Sequence, residues 1–113
     1  MKISDAHQLL APTLLRSQTL SALHEAVGRD EIAHDAAQEC LAHIGRMPIR
    51  LLGDAKLRQR AWNLADQLGW ASTYNAEYLA LTQLQADKLI TLDPEFAHSA
   101  DGIVTLGSID ELR

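Results

Sequence analysis

The amino-acid sequence predicts an α/β domain: a parallel sheet of about four short strands flanked by helices. Three observations lead there. Short apolar runs bounded by Pro, Gly or Asp alternate with longer segments whose apolar residues recur at helical spacing, and strands separated by helices pair in parallel. The 113 residues are the length of one ordinary domain. Nineteen Leu and seventeen Ala dominate the 47% apolar content, with aromatics at only 4%. That composition favours helices and a core of small and branched aliphatics.

Gln8–Ala11 reads as a buried strand, and Pro12 suits the first turn of the helix that follows, where its missing N–H is no loss. Leu15, Thr19, Ala22, Leu23 and Ala26 give that helix its apolar stripe, with Gly28 as its stop. A second helix starts near Asp30 and carries Ala33, Ala36, Ala37, Cys40, Leu41 and Ile44 on one side. Pro48–Leu52 is a strand. Asp54 caps a third helix with the clearest periodicity, Leu57, Ala61, Leu64, Ala65 and Leu68, closed by Gly69. Ser72 or Thr73 opens a fourth, with Tyr74, Tyr78, Leu81 and Leu84 defining one face. Lys88–Leu92 is a strand ending at Asp93, Pro94 opens a helical turn through Ala100, and Gly102–Leu106 is the last strand before a short tail, Ser108–Arg113.

Fifteen acids against ten bases give a net charge of −5, which argues against a clamp built on phosphate attraction over the whole surface. Half of the bases, Arg46, Arg50, Lys56, Arg58 and Arg60, lie within fifteen positions; a solvated helix face accounts for them. No apolar run is long enough to span a membrane, and Met1–His7 lacks an apolar signal core, so the expected compartment is the cytoplasm. One cysteine, Cys40, allows neither an internal disulfide nor a Cys-based zinc site, and on its apolar stripe it reads as a small hydrophobe. Glu31, Asp35, Glu39 and His43 share a helical face but lack the two-histidine spacing of zinc sites, and read as a solvated acidic face. Trp62 and Trp70 read as core edge or interface.

In an open parallel sheet, ligands bind beyond the carboxyl ends of the strands. Asp93 sits at such an end. Its carboxylate can face a metal or phosphate there, or accept from the first amides of the Pro94 helix, and the spacing favours the cap. Asn75 and Glu77 fall in the first turn of the fourth helix, where polar groups meet free N–H groups and the positive dipole end.

Three stretches resemble the PIN domain, the fold of the VapC-type toxin ribonucleases of bacterial toxin–antitoxin pairs. Leu9–Gln18 (LLAPTLLRSQ) is similar to the family's strand-Pro-helix entry. Leu68-Gly69-Trp70 through Thr73–Leu81 (TYNAEYLAL) resembles its Tyr-Asp-Ala segment, and Leu89–Asp93 (LITLD) its Thr-x-Asp strand end. The resemblance implies metal-dependent RNA cleavage by acidic side chains that hold magnesium or manganese. Hard divalent cations need anionic oxygen ligands, and two such ions can stabilise both the attacking and leaving oxygens of a phosphodiester. Position by position, the family's early-helix Glu falls at Gln18 and its Tyr-Asp-Ala Asp at Asn75, while its Thr-x-Asp acid is kept as Asp93. The family's first central strand, with a further acid, has no counterpart.

Gln and Asn preserve shape and hydrogen bonding but remove two negative charges. A pocket with Asp93, aided by Glu77 or Glu95, would therefore bind Mg2+ or Mn2+ weakly. The resemblance thus implies an N-terminally truncated PIN-like domain with a degraded acidic site, acting through contacts with itself as a homodimer or with an antitoxin-like partner. A Mg2+/Mn2+-dependent endoribonuclease, with RNA as partner, is the alternative, and a start codon upstream that restores the first strand is a third reading. Without that strand, the Gln8–Ala11 and Leu89–Leu92 strands are expected to pair directly or through a partner chain, because an open central edge invites aggregation.

Overall fold

The computed structural model describes residues 8–112; the reading of Met1–His7 lies outside them. The elements in order are β1 (Leu9–Pro12), α1 (Leu15–Gly28), α2 (His34–Arg46), β2 (Ile49–Leu52), α3 (Ala55–Leu68), α4 (Tyr74–Gln85) and α5 (Pro94–Ala100), followed by a 3-10 turn at Ile109–Leu112. The α/β class and the parallel pairing are as the alternation of segments predicts. β1 and β2 pair in parallel, with Leu9 opposite Ile49 and Pro12 opposite Leu52. Pro12 lies at the end of β1, buried, and not inside the helix.

The sheet is smaller than expected. Among the described residues it has two strands. Leu89 pairs only with Leu106, in one parallel bridge, through Leu89 N to Thr105 O and Gly107 N to Leu89 O, both 2.9 Å. The Leu89–Leu92 segment therefore does not pair with β1, and a four-stranded sheet is not formed. Local hydrogen bonding explains why. Thr91 Oγ1 accepts from Asp93 N, which turns the chain into α5 directly after Ile90. On the other side, Ile103 N and Val104 N both bond to Ala100 O, and Gly102 takes φ 86°. The residues expected to start the last strand are spent on closing α5.

Two helix ends follow their sequence signals closely. Asp54 caps α3 by accepting from Leu57 N at 2.9 Å, and Gly69 closes it at φ 71°, a conformation that glycine adopts without penalty. The α1–α2 junction differs from expectation. Asp30 does not start α2; at φ 58° it terminates α1, with Asp30 N bonded to Val27 O and Glu31 N to Ala26 O. This is the paired closure in which a left-handed residue satisfies the last carbonyls, and Asp tolerates it better than most side chains. α2 consequently begins only at His34.

The core lies between α3 and α4 and extends to the bridge and α5. Leu57, Ala61, Leu64 and Ala65 of α3 meet Ala76, Leu79, Ala80 and Leu81 of α4, with Leu89, Phe96 and Ala100 beside them. Ala76, Leu79 and Ala80 are completely buried, and the alanines let the helices approach closely. The buried residues of α4 are thus Ala76, Leu79, Ala80, Leu81 and Thr82; of the face expected from the sequence Leu81 is buried, while Tyr74 is 59% exposed. The buried Thr82 is satisfied locally, its hydroxyl donating to Tyr78 O at 2.8 Å. Trp70 packs edge-on to Phe96, ring centres 6.4 Å apart.

The α1–α2 layer is much less buried. α1 has no buried residue, and in α2 only Ala37 is buried. Cys40, placed by periodicity on an apolar stripe, is exposed: the stripe faces partial cover and Cys40 lies beyond its edge. No helix among the described residues is long and apolar enough to cross a membrane.

Candidate functional site

The strand ends and the helices that leave them set the geometry. Thr13 N donates to Leu52 O at 3.1 Å just beyond the β1–β2 pairing, and Gly53 fits there because a Cβ would stand 2.9 Å from Thr13 Oγ1. α1 and α3 both depart from this end of the sheet. Each presents a polar side chain in its first turn, Gln18 and Arg58, and α4 adds Glu77 in its own.

Gln18 is half-buried. Its Oε1 accepts from the Tyr78 hydroxyl at 2.8 Å, a bond spanning sixty residues of sequence. An exchangeable amide therefore occupies a place where a tyrosine hydroxyl is the facing donor. Burial pushes the Tyr78 hydroxyl pKa up, and the neighbouring Glu77 carboxylate adds to the shift, so the phenol keeps the proton it donates. Glu77 is half-buried, and desolvation raises its carboxyl pKa above the ordinary glutamate value; the Arg58 guanidinium opposes that shift more weakly. Arg58 itself is held by Nη1 donating to Gly53 O at 3.0 Å. Gln18, Tyr78, Glu77 and Arg58 are thus linked, directly or through their fields, beyond the carboxyl ends of the two strands.

The residues singled out in the sequence divide accordingly. Gln18 meets the α4 segment, and Asn75 lies one turn before Tyr78 on that helix, exposed. Asp93 is not among the side chains joined there. Its Oδ1 accepts from Glu95 N at 3.0 Å and Phe96 N at 3.4 Å, the capping role that its place before Pro94 favours. Glu95 is exposed in the same turn. Among the described residues no group of three or more His, Cys, Asp or Glu side chains is placed to hold a metal ion. What the linked residues can do is donate and accept hydrogen bonds and present one carboxylate beside one guanidinium.

Two residues of this arrangement were not assigned to it by sequence reasoning. Arg58 reads as part of a solvated basic face, and Tyr78 as part of an apolar face. The available signal was positional: Tyr78 lies three residues after Asn75, and Arg58 occupies the same first-turn position on α3 as Gln18 on α1.

No protein-family profile matches the chain, and no curated protein matches it.

Proposed function

We propose that this chain is a PIN-like module whose acidic site has been reduced by amide replacement and that it acts through protein contacts, as a homodimer or with an antitoxin-like partner, without efficient nuclease activity. The observation that carries the reading is the Tyr78–Gln18 hydrogen bond at 2.8 Å. It sets Gln18, an amide where the resemblance would have an acid, against the helix that carries Asn75. An amide oxygen accepts that bond as a carboxylate would but contributes no charge to a cation. The one retained acid, Asp93, has an oxygen committed to the α5 cap, which leaves little negative charge for a hard divalent ion.

The test combines Mn2+ titration by calorimetry, RNA cleavage in Mg2+ and Mn2+, and sedimentation of the purified chain. The expected results are weak or absent metal binding, no metal-dependent cleavage and a concentration-dependent dimer. Cleavage that requires the metal and is abolished by Asp93→Ala overturns the reading in favour of a Mg2+/Mn2+-dependent endoribonuclease. A strict monomer that also captures no protein partner removes the contact function.

A further inference from the structure

The α1–α2 layer is lightly covered because the space beneath it is not filled. A cavity of about 220 Å³ lies between α1, α2 and β2, apart from the strand-end arrangement, since Gln18, Arg58, Glu77 and Tyr78 are not in its wall. Leu15 of α1, Leu41 and Ile44 of α2, and Ile49 and Leu51 of β2 make the wall apolar. Leu41 and Ile44 stand one turn apart on one side of α2, and Ile49 and Leu51 share a face of β2 because side chains alternate along a strand. All five are half-buried: each is covered by its neighbours and open toward the cavity. A space of about 150 Å³ with aliphatic walls takes benzene. By proportion, about 220 Å³ takes about nine carbon atoms.

Two polar side chains of α1 also line it, Arg16 and Thr19, three residues apart and so on one face of the helix. Arg16 is the single charged residue in the wall, and no carboxylate lines it among the described residues. Neither Arg16 nor Thr19 has a side-chain hydrogen bond or ion pair among the described residues. Arg16 and Gly45 are the exposed members of the wall, which puts the opening beside the guanidinium. That group offers a planar fork of N–H donors that matches a carboxylate, and the Thr19 hydroxyl offers one more. An apolar interior with a free cation at its mouth selects an amphipathic anion, whose chain enters first and whose head stays at the solvent boundary. A ligand polar throughout would leave its groups unpaired against five aliphatic side chains, and a peptide helix, about 10 Å across, is too wide.

We infer that the cavity between α1, α2 and β2 binds a small amphipathic carboxylate, a fatty acid of up to about nine carbons, with its chain among Leu41, Ile44 and Ile49 and its head on Arg16 and Thr19. This rests on those three elements alone and not on the PIN-like reading, so the outcome of the nuclease and sedimentation tests leaves it untouched. Because the ligand touches α1, α2 and β2 together, its binding holds the thinly covered layer in place and slows amide exchange in α1 and α2.

The experiment is a methyl NMR titration of the full chain with butanoate, hexanoate, octanoate and octan-1-ol. Octanoate is expected to shift the Leu41, Ile44 and Ile49 methyls saturably, with a Kd below about 10⁻³ M. Affinity rises about fourfold per methylene from butanoate to octanoate, as burial of the chain requires. Arg16→Gln, at an exposed position, weakens octanoate about two- to fivefold, the range for an ion pair reached by solvent, and leaves octan-1-ol unchanged. An added Cβ at Gly45 meets nothing within 4 Å, and leucine is the better helix former. Gly45→Leu therefore keeps the fold, fills the mouth and weakens both probes about tenfold. No saturation up to about 10⁻³ M, shifts confined to methyls outside the cavity, equal losses of octanoate and octan-1-ol in Arg16→Gln, or indifference to both variants each overturns the proposal. Methyl contacts at Ile44 between differently labelled copies of the free protein also overturn it, by assigning the space to a second copy. Contacts of Ile3 with Ile44 in the free chain do the same, by assigning it to the chain's own first residues.

Discussion

Single side chains decide what the site can do, and they can be read one at a time. Tyr78→Phe removes the donor to Gln18, and chemical denaturation should show a loss of about 1 kcal/mol. Gln18→Glu keeps the acceptor and adds a charge; combined with Asn75→Asp it should raise Mn2+ affinity in calorimetry, as expected if those amides stand where acids would bind metal. Asp93 separates cap from ligand: Asp93→Ala should cost about 1 kcal/mol and Asp93→Asn far less, because asparagine also accepts from first-turn amides. Glu77 gives the pH dependence. Its carboxyl pKa is raised in the folded protein, so the folded state holds the proton more tightly and stability falls as pH rises through that raised value. Glu77→Gln is therefore expected to raise the melting temperature at pH 7, with the advantage disappearing below the ordinary glutamate value of 4.5.

At the level of whole elements, stability is unevenly distributed. α3 and α4 share a core in which Leu79 is fully buried, and Leu79→Ala should cost about 2–5 kcal/mol. α1 contributes no buried residue, so amide hydrogen exchange should be faster in α1 and α2 than in α3 and α4. The same contrast explains what could be read in advance. α3 was legible because its cap, stripe and stop, Asp54, Leu57–Ala65 and Gly69, are all local signals that agree. β1, β2 and α5 were legible for a similar reason, since Pro and Asp punctuate short apolar runs. Asp30 misled because one residue type serves both as helix start and as left-handed stop, and only the bonds back to Val27 and Ala26 distinguish them. The last two strands reduced to a bridge because pairing depends on residues far apart in sequence. The Tyr78–Gln18 contact belongs to that class too, as sixty residues separate its partners.

Across the whole molecule, the exposed apolar groups are informative. Leu92 is 82% exposed, three residues beyond the Leu89–Leu106 bridge, with Trp62, Tyr74 and Leu20 also more than half exposed. Leu92→Ser should leave stability within about 0.5 kcal/mol while weakening self-association in sedimentation, if that side chain belongs to a dimer contact. The phenol–amide bond has a broader consequence, because it fastens a lightly covered layer to a well-packed one. Whenever the hairpin of α1 and α2 lifts away, the glutamine leaves its tyrosine and the arrangement beyond the strand ends comes apart, while the α3–α4 core keeps its shape. A ligand that needs both Gln18 and Tyr78 in place would bind the docked form alone, and its binding would slow amide exchange in the hairpin.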